Sequence, residues 1–299
     1  MSDGPSGPPV TRGARRRRGL TERVLLLGPG FAYILVLFLV PLGLIISLAF
    51  FQRGRFGGVI YEPTLANFER ALQPVFVQVL IDSVIIAGIT TGLALLIGYP
   101  TAWVIARLPG RWRVVALILV VLPFWTNFLI RTYAWIVLLN REGVVNGALQ
   151  AFGIIDEPLT LLYTDGAVVA GLLYAYLPLM ILPLYSSIER LDPELREASA
   201  NLGATPARTF VSVTLPLTMP GVLIGSIFVF VPSIGTFVIP ELLGGGKTVM
   251  VGNLIRDQFL KARDWPFGSV LAIVVIVSLM GLLILHSWLS RRTETTADA

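Results

Sequence analysis

The chain has 299 residues, of which 55% are hydrophobic and only 14% charged, with a net charge of +5. A water-soluble globule of this length is far less apolar, so the composition excludes one and indicates a membrane protein. The chain contains no cysteine and one histidine, His286. Those counts exclude a disulfide framework, a cysteine-ligated metal centre and a histidine-dependent catalytic triad.

The N-terminal segment, residues 1–23, is rich in glycine, proline and serine and carries four consecutive arginines, Arg15 to Arg18. We expect a disordered basic tail. The following run, Val24 to Phe51, has 28 residues without a charge. It is longer than the apolar core of a signal peptide and precedes no typical cleavage site, so we expect it to remain as a membrane anchor.

Six apolar runs are long enough to cross a membrane as helices, which takes about 20 residues. We therefore predict an all-α integral membrane protein with six transmembrane helices, without a soluble domain between them. The predicted spans cover residues 24–51, 83–106, 114–139, 167–188, 219–240 and 268–289.

The basic residues predict the direction of these spans. If the N-terminus is cytoplasmic, the inner segments contain fourteen lysines and arginines and the outer segments eight, with Arg131 left inside a span. Basic residues concentrate in cytoplasmic segments of membrane proteins. We therefore expect both termini, including the tail 291–299, to be cytoplasmic.

The inner loop between the fourth and fifth spans, residues 191–216, contains two helix starts. Each start is an N-cap residue followed by proline at the first helical position: Asp192 with Pro193, and Thr205 with Pro206. Gly203 between them is suited to the left-handed conformation that ends many helices. The sequence predicts a helix, a sharp glycine turn and a second helix at the cytoplasmic surface.

The first of these helices is predicted to be amphipathic. Its apolar face contains Leu195, Ala198, Ser199 and Leu202, and its polar face contains Glu194, Glu197 and Asn201. An interfacial segment that merely connects two spans would have the same pattern. Spacing alone leaves that alternative open.

The same loop resembles the signature loop of the permeases of binding-protein-dependent ATP-binding cassette (ABC) importers, written EAA, three residues, G, nine residues, I-x-L-P. Glu197, Ala198 and Ser199 stand in the EAA positions, Gly203 has the required spacing, and Leu215 and Pro216 close the motif. Ser199 at the third position, where the motif has alanine, and Val213 in place of isoleucine are small departures. The resemblance implies that Glu197 to Gly203 dock as a coupling helix into a cleft of an ATPase subunit.

Five further segments resemble the spermidine/putrescine branch of this family, in particular its first permease subunit. They are LPFWTNFLIRTYAWIVLL (122–139), LPLYSSIERLDPEL (182–195), LPLTMPG (215–221), FVIPELLGG (237–245) and RDWPFG (263–268). The resemblance implies a MetI-like permease fold over residues 24–290 in the bacterial inner membrane. It also implies three kinds of partner: a second homologous permease, two copies of an ATPase that binds the ATP and magnesium, and an extracytoplasmic solute-binding protein.

The segment Gly244 to Thr248, GGGKT, is similar to the end of a phosphate-binding P-loop. The full pattern needs a glycine five residues before Gly246, and Glu241 stands there. The segment also lies on the predicted outer side, so we interpret it as a turn. We expect no cofactor, metal site or catalytic residue in this chain.

Ionisable residues are costly inside a membrane, and they mark pathways or buried contacts. Asp82 and Glu241 stand at span ends, where the alternative to a pathway role is an interfacial position with the carboxylate in water. Arg131 lies deeper, where the alternative to a pathway role is a structural salt bridge or a carbonyl clamp. Aromatic side chains near Arg131 could hold a cationic amine or belong to the interfacial belt. The candidate pathway residues are Asp82, Trp125, Asn127, Arg131, Tyr133, Trp135, Thr236 and Glu241.

The outer loops do not independently indicate a cationic solute, so the polyamine assignment depends on the resemblance. Thr236 stands where some putrescine-type members have an acid, which leaves another small organic solute open. An ion-coupled secondary transporter would show duplicated halves, and an enzyme would show a nucleophile or an acid/base cluster. The sequence has neither, so an ABC permease is the favoured class.

Overall fold

The computed structural model describes residues 12–295, with side chains from residue 28 to residue 281 and at Ile284. The described chain is helical apart from one antiparallel hairpin, β1 (Phe51–Arg53) with β2 (Val59–Pro63). The helices are α1 (Arg12–Leu48), α2 (Ala66–Ala71), α3 (Pro74–Arg107), α4 (Gly110–Val121), α5 (Phe128–Leu139), α6 (Val144–Ala151), α7 (Asp165–Glu189), α8 (Pro193–Asn201), α9 (Pro206–Thr209), α10 (Leu215–Gly235), α11 (Val238–Gly244), α12 (Val251–Leu260) and α13 (Trp265–Thr295).

The first helix begins at Arg12, inside the segment that the composition predicts to be disordered. Arginine and leucine are good helix formers, so the helix can continue through the basic run before the apolar stretch. Residues 1–11 and 296–299, which hold the rest of the predicted tails, lie outside the described residues. The side chain of His286 lies outside them as well.

Four helical segments are long and apolar enough to cross a membrane: Gly28–Leu48, Pro74–Arg107, Asp165–Glu189 and Pro206–Gly235. A bent helix pair would make a fifth. In α13, the apolar part for which side chains are described, Trp265–Gly281, is shorter than these four. The structure therefore supports four to five spans of the predicted six.

The third predicted span, residues 114–139, is not one straight helix. A 3₁₀ turn, Leu122–Trp125, follows α4, and the chain bends by 92° before α5. Pro123 has no amide to donate, and the Asn127 side chain starts the next helix by accepting a hydrogen bond from the Leu129 amide at 2.8 Å. A count of apolar residues cannot detect this break, because the helices on both sides of it are apolar.

The fifth predicted span, residues 219–240, is shifted in the structure. A short π-helical turn, Phe210–Thr214, joins α9 directly to α10, which ends at Gly235. Thr236 has extended backbone angles, and α11 begins at Val238. The span therefore starts inside the loop 191–216, which we call the coupling loop. The second helix of this loop, α9, continues through the π-helical turn into α10.

The core consists of α3, α7 and α10, packed against one another. Met180 of α7 is fully buried and lies against Gly98 of α3 and Gly225 of α10. Gly221 of α10 lies against the Pro183 carbonyl of α7. Lipid tails are as apolar as these side chains, so close packing at small residues, rather than the hydrophobic effect, holds such helices together.

Candidate functional site

The coupling loop has the local structure that the sequence predicts. The Asp192 carboxylate accepts from the Glu194 amide at 3.0 Å at the start of α8, and the Thr205 hydroxyl accepts from the Arg208 amide at 3.3 Å at the start of α9. Gly203 between them has φ +80°, in the left-handed region. The predicted helix, glycine turn and helix are confirmed.

The two short helices are also bound to each other. The hydroxyls of Ser199 in α8 and Thr209 in α9 are 3.0 Å apart, and Thr209 is only 8% exposed. The Ala204 amide donates to the Ser199 carbonyl at 3.2 Å. The serine in the third signature position therefore makes a contact that alanine could not make.

The predicted apolar face of α8 is mostly uncovered. Leu195 is 46% and Leu202 is 88% exposed, and Ala198 is exposed as well. Ser199, assigned to that face, instead contacts α9, and the half-buried Arg196 also lies on the inner side of the loop. Within the described part of the chain, the apolar face of α8 is left free for a partner.

The end of the signature motif connects this loop to the core. Leu215 packs against the buried cluster formed by α3, α7 and α10, and Pro216 occupies the first turn of α10, directly after the π-helical turn. Tyr99 of α3 contacts the same region through a 2.9 Å hydrogen bond between its hydroxyl and that of Thr218. Movement of the loop would therefore reach the spans directly.

Arg131 clamps the broken third helix. Its guanidinium donates to the Pro123 carbonyl at 2.7 Å, across the break. The rings of Phe124, Phe128 and Tyr174 have centroids 5.6 to 5.7 Å from its Cζ. Of the alternatives that the sequence left open, the structure contains the carbonyl clamp, and Arg131 takes part in none of the ion pairs among the described side chains.

The aromatic candidates do not form one site. Trp135 packs edge to face on Tyr174, with 5.7 Å between the ring centroids, and so lies near Arg131. Tyr133 is 55% exposed. Trp125 is 81% exposed and lines a separate apolar groove of about 290 Å³ along α4. Trp125 precedes the 92° bend, whereas Tyr133 and Trp135 follow it in α5.

Glu241 belongs to a network of charges between α11 and α12. Its carboxylate is 2.9 Å from the Arg256 guanidinium, 3.9 Å from the Lys261 ammonium and 3.2 Å from the Asn253 amide nitrogen. Arg256 and Lys261 also bind Asp257, at 2.6 and 3.0 Å. The sequence analysis missed Asn253 and Asp257 as members, although the spacing of Asp257 and Lys261, four residues apart on a helix, is a recognisable ion-pair signal.

This network shifts the pKa of both partners in its shortest ion pair. Burial raises the pKa of Asp257, but the hydrogen bonds and charges of Arg256 and Lys261 outweigh burial and hold it below its ordinary value. The hydrogen bond to Asp257 raises the pKa of Arg256, against the effect of burial, with help from Glu241. Both groups are therefore charged at neutral pH.

Asp82, predicted to stand at the end of a span, lies about two turns inside α3, whereas Thr236 lies just beyond α10. Asp82 is half-buried one turn along α3 from Gln78, whose side-chain amide donates to its carboxylate at 2.8 Å. Thr236 follows the last residue of α10 and has extended backbone angles. Ser83, the residue after Asp82, accepts a hydrogen bond from the Val251 amide at 2.8 Å and so joins α3 to the start of α12.

The GGGKT segment forms a hydrogen-bonded turn. Gly245 and Gly246 both have positive φ, and the Thr248 hydroxyl donates to the Asp165 carboxylate at 2.5 Å. The Tyr163 amide donates to the Leu243 carbonyl at 2.9 Å. The segment therefore connects the end of α11 to the start of α7. The described residues contain no group of three acidic or histidine side chains able to hold a metal ion.

Comparison with known proteins agrees with this architecture. The family model for "Binding-protein-dependent transport system inner membrane component" matches residues 29–295. The spermidine/putrescine transport system permease protein PotB of Escherichia coli (strain K12) is 43% identical over 259 residues, which cover 86% of this chain and 94% of the relative. The inner membrane ABC transporter permease protein YdcU of the same strain is 34% identical over 230 residues, 72% of each chain.

A solved structure of a bacterial alginate ABC transporter, in complex with an alginate pentasaccharide-bound periplasmic protein, contains a similar chain. The TM-score is 0.69 at 20% sequence identity, and the match covers 93% of this chain and 96% of that one. At this identity the likeness establishes a shared fold. The permease fold that the signature loop implied is therefore confirmed.

Proposed function

Because this chain belongs to the family of binding-protein-dependent transport system inner membrane components, we propose that it forms one half of the pathway of an ATP-driven importer of polyamines. The relatives named for spermidine and putrescine are 43% identical and match nearly their whole length. That degree of identity supports the same substrate class here. The proposed location is the bacterial inner membrane.

The structure of the coupling loop supports the proposal that ATP hydrolysis on another chain drives transport. Its two helices are capped, joined by a left-handed glycine and bound through Ser199 and Thr209. A rigid element can transmit the movement of a partner, whereas a flexible loop absorbs it. The exposed Leu195 and Leu202 supply an apolar surface for an ATPase cleft, with Glu197 and Ala198 on the same short helix.

The proposed assembly contains this chain, a second homologous permease, two ATPase subunits and an extracytoplasmic solute-binding protein. Six spans with both termini in the cytoplasm, as the distribution of basic residues predicts, would place the coupling loop on the ATPase side. Glu241 and the hairpin of β1 and β2 would then lie on the side of the binding protein. ATP and magnesium would be bound by the ATPase.

Within this assembly we assign different roles to the candidate pathway residues. Arg131 and Asn127 fix the broken third helix through the Pro123 carbonyl and the start of α5. Asp82 offers a carboxylate to an ammonium group, and Glu241 would do so in exchange for its ion pair with Arg256. The side chains of Trp125, Tyr133 and Trp135 offer aromatic faces. Thr236, at the end of α10, would contribute a neutral hydroxyl.

Reconstitution tests this function. The chain is co-expressed with its ATPase, second permease and binding protein, and uptake of labelled spermidine and putrescine into proteoliposomes is measured with and without internal ATP. The proposal predicts ATP-dependent uptake of at least one polyamine. Uptake of an unrelated solute alone would overturn the substrate class, and uptake driven by an ion gradient without ATP would overturn the coupling to an ATPase.

A further inference from the structure

A large cavity lies between the end of α3 and the coupling loop. Its volume is about 800 Å³, within the range of about 300–1,000 Å³ typical of small-molecule sites. Its walls include Trp103 and Arg107 from α3, and Arg196 and Ala200 from α8. Of the signature residues assigned to the coupling loop, only Glu197 lines this cavity.

Two guanidinium groups face the same aromatic ring in this cavity. The Cζ atoms of Arg107 and Arg196 are 4.3 and 5.1 Å from the centroid of Trp103. Neither arginine takes part in the ion pairs found among the side chains at 28–281 and 284. Glu197 also lines the cavity, so the lining combines two positive charges with one negative charge.

The guanidinium groups of Arg107 and Arg196 are like charges held beside one ring, and they repel each other. An anion between them would offset this repulsion. Guanidinium groups bind phosphate oxygens through paired hydrogen bonds, and they do so better than ammonium groups. The pair is therefore suited to a phosphate group.

The remaining wall is aromatic. The rings of Tyr99 and Phe210 pack edge to face, with 5.5 Å between centroids, and both line the cavity beside Trp103. The Tyr99 hydroxyl is already hydrogen-bonded to Thr218, so this wall presents mainly carbon to a ligand. A ligand that fits has a phosphate group at one end and an apolar part at the other.

The position of the cavity indicates the source of that ligand. Trp103 and Arg107 lie in the last two turns of a span-length helix, Pro74–Arg107, and so at the boundary between hydrocarbon and water. Lipid headgroups occupy this boundary, and basic pockets between membrane helices bind them. We propose that the cavity binds the phosphate group of an anionic phospholipid and thereby joins α3 to the coupling helix.

This site shares only Glu197 with the surface assigned to the ATPase. The exposed side chains Leu195 and Leu202 are absent from the lining, whereas Arg196 and Ala200 of the same helix belong to it. A lipid in the cavity would therefore support the coupling helix from the membrane side while the opposite face meets its partner.

Native mass spectrometry of the delipidated full chain tests the proposal. Phosphatidylglycerol, phosphatidylcholine and inorganic phosphate are titrated separately. We expect the wild type to retain phosphatidylglycerol in preference to phosphatidylcholine, and inorganic phosphate to bind more weakly. The double substitution Arg107→Gln/Arg196→Gln should weaken phosphatidylglycerol binding about tenfold or more, since it removes both charged donors.

A matched control is Arg111→Gln/Arg190→Gln, which removes the same charge from two exposed arginines outside the lining. It should bind the lipid as the wild type does. Ala200→Trp provides a second variant that keeps both arginines but fills the cavity, and it should also lose the lipid. Thermal unfolding of each variant without lipid separates loss of binding from loss of folding.

Three results would overturn the proposal. Equal lipid retention by the wild type and the Arg107→Gln/Arg196→Gln variant would mean that the arginines hold no headgroup. Retention by Ala200→Trp would place the lipid elsewhere. Inorganic phosphate that binds as tightly as the lipid, with the same dependence on the arginines, would identify a site for the free ion.

Discussion

The hydroxyl groups of Ser199 and Thr209 meet at 3.0 Å and join the two helices of the coupling loop on either side of the Gly203 turn. Thr209 is 8% exposed and Ser199 is half-buried, so the contact is largely shielded from competing water. It holds α8 to α9, and the chain continues from α9 through the π-helical turn into α10.

The first prediction concerns this contact. Ser199→Ala leaves the buried Thr209 hydroxyl without its partner, which should lower the free energy of unfolding by about 1 kcal/mol. Thermal unfolding of the detergent-purified chain measures the change. Thr209→Val and the double variant complete a double-mutant cycle, and a coupling energy of zero would mean that the contact contributes nothing.

The second prediction concerns Arg131. Arg131→Gln removes the charged hydrogen bond to the Pro123 carbonyl and should lower the free energy of unfolding by about 1.5–3 kcal/mol. Polyamine uptake by the reconstituted complex should fall with it. Arg141→Gln, between α5 and α6, provides a control with the same charge change at an exposed position and should behave as the wild type. Lost uptake at unchanged stability would contradict the clamp and favour a direct role in the pathway.

The third prediction concerns the contact of α7 with α10. A β-carbon on Gly221 would lie 2.7 Å from the Pro183 carbonyl oxygen, whereas one on Gly92 of α3 would meet nothing within 4 Å. Gly221→Ala should therefore destabilise the chain by about 1–3 kcal/mol, and Gly92→Ala should be neutral or slightly stabilising. Comparison of their unfolding temperatures tests the packing of the core. Equal temperatures would contradict it.

The fourth prediction concerns pH. The folded-state pKa of Asp257 is lowered, so its contribution to stability is fully present above its ordinary pKa of 3.8 and is lost as the pH falls through the lower folded value. Wild type should therefore lose stability more steeply below about pH 4 than Asp257→Asn. Unfolding temperatures measured from pH 7 to pH 3 give the two slopes. Parallel curves would mean that the ion pairs of Asp257 do not form.

The sequence predicted those features that depend on neighbouring residues. Asp192, Gly203 and Thr205 act as caps and turn because proline and glycine fix the local backbone. The signature spacing, which is also local, led to the correct family and fold.

The features that it missed depend on tertiary contacts. Arg196 lies on the inner side of α8 because Trp103 of α3 is there, and no helical periodicity contains that information. The Arg131 clamp joins residues on the two sides of the break at Pro123, and the Glu241 network forms only where α11 and α12 meet after the glycine turn. Long apolar runs specify that a segment prefers lipid, but not whether it is straight.

The central claim is that the coupling loop transmits ATPase movement to the spans, and Gly203→Pro tests it most directly. Proline fixes φ near −65°, which is incompatible with the observed +80° and removes the amide that donates to Ala200. Gly246→Pro, in the distant GGGKT turn, provides a control at a similar backbone angle, φ +78°.

Both variants should insert into the membrane, and the measurement is ATP-driven uptake by the reconstituted complex alongside its ATPase activity. The account predicts that Gly203→Pro abolishes uptake or separates it from ATP hydrolysis, while Gly246→Pro retains coupled uptake. Normal ATP-driven uptake by the Gly203→Pro complex would contradict the account.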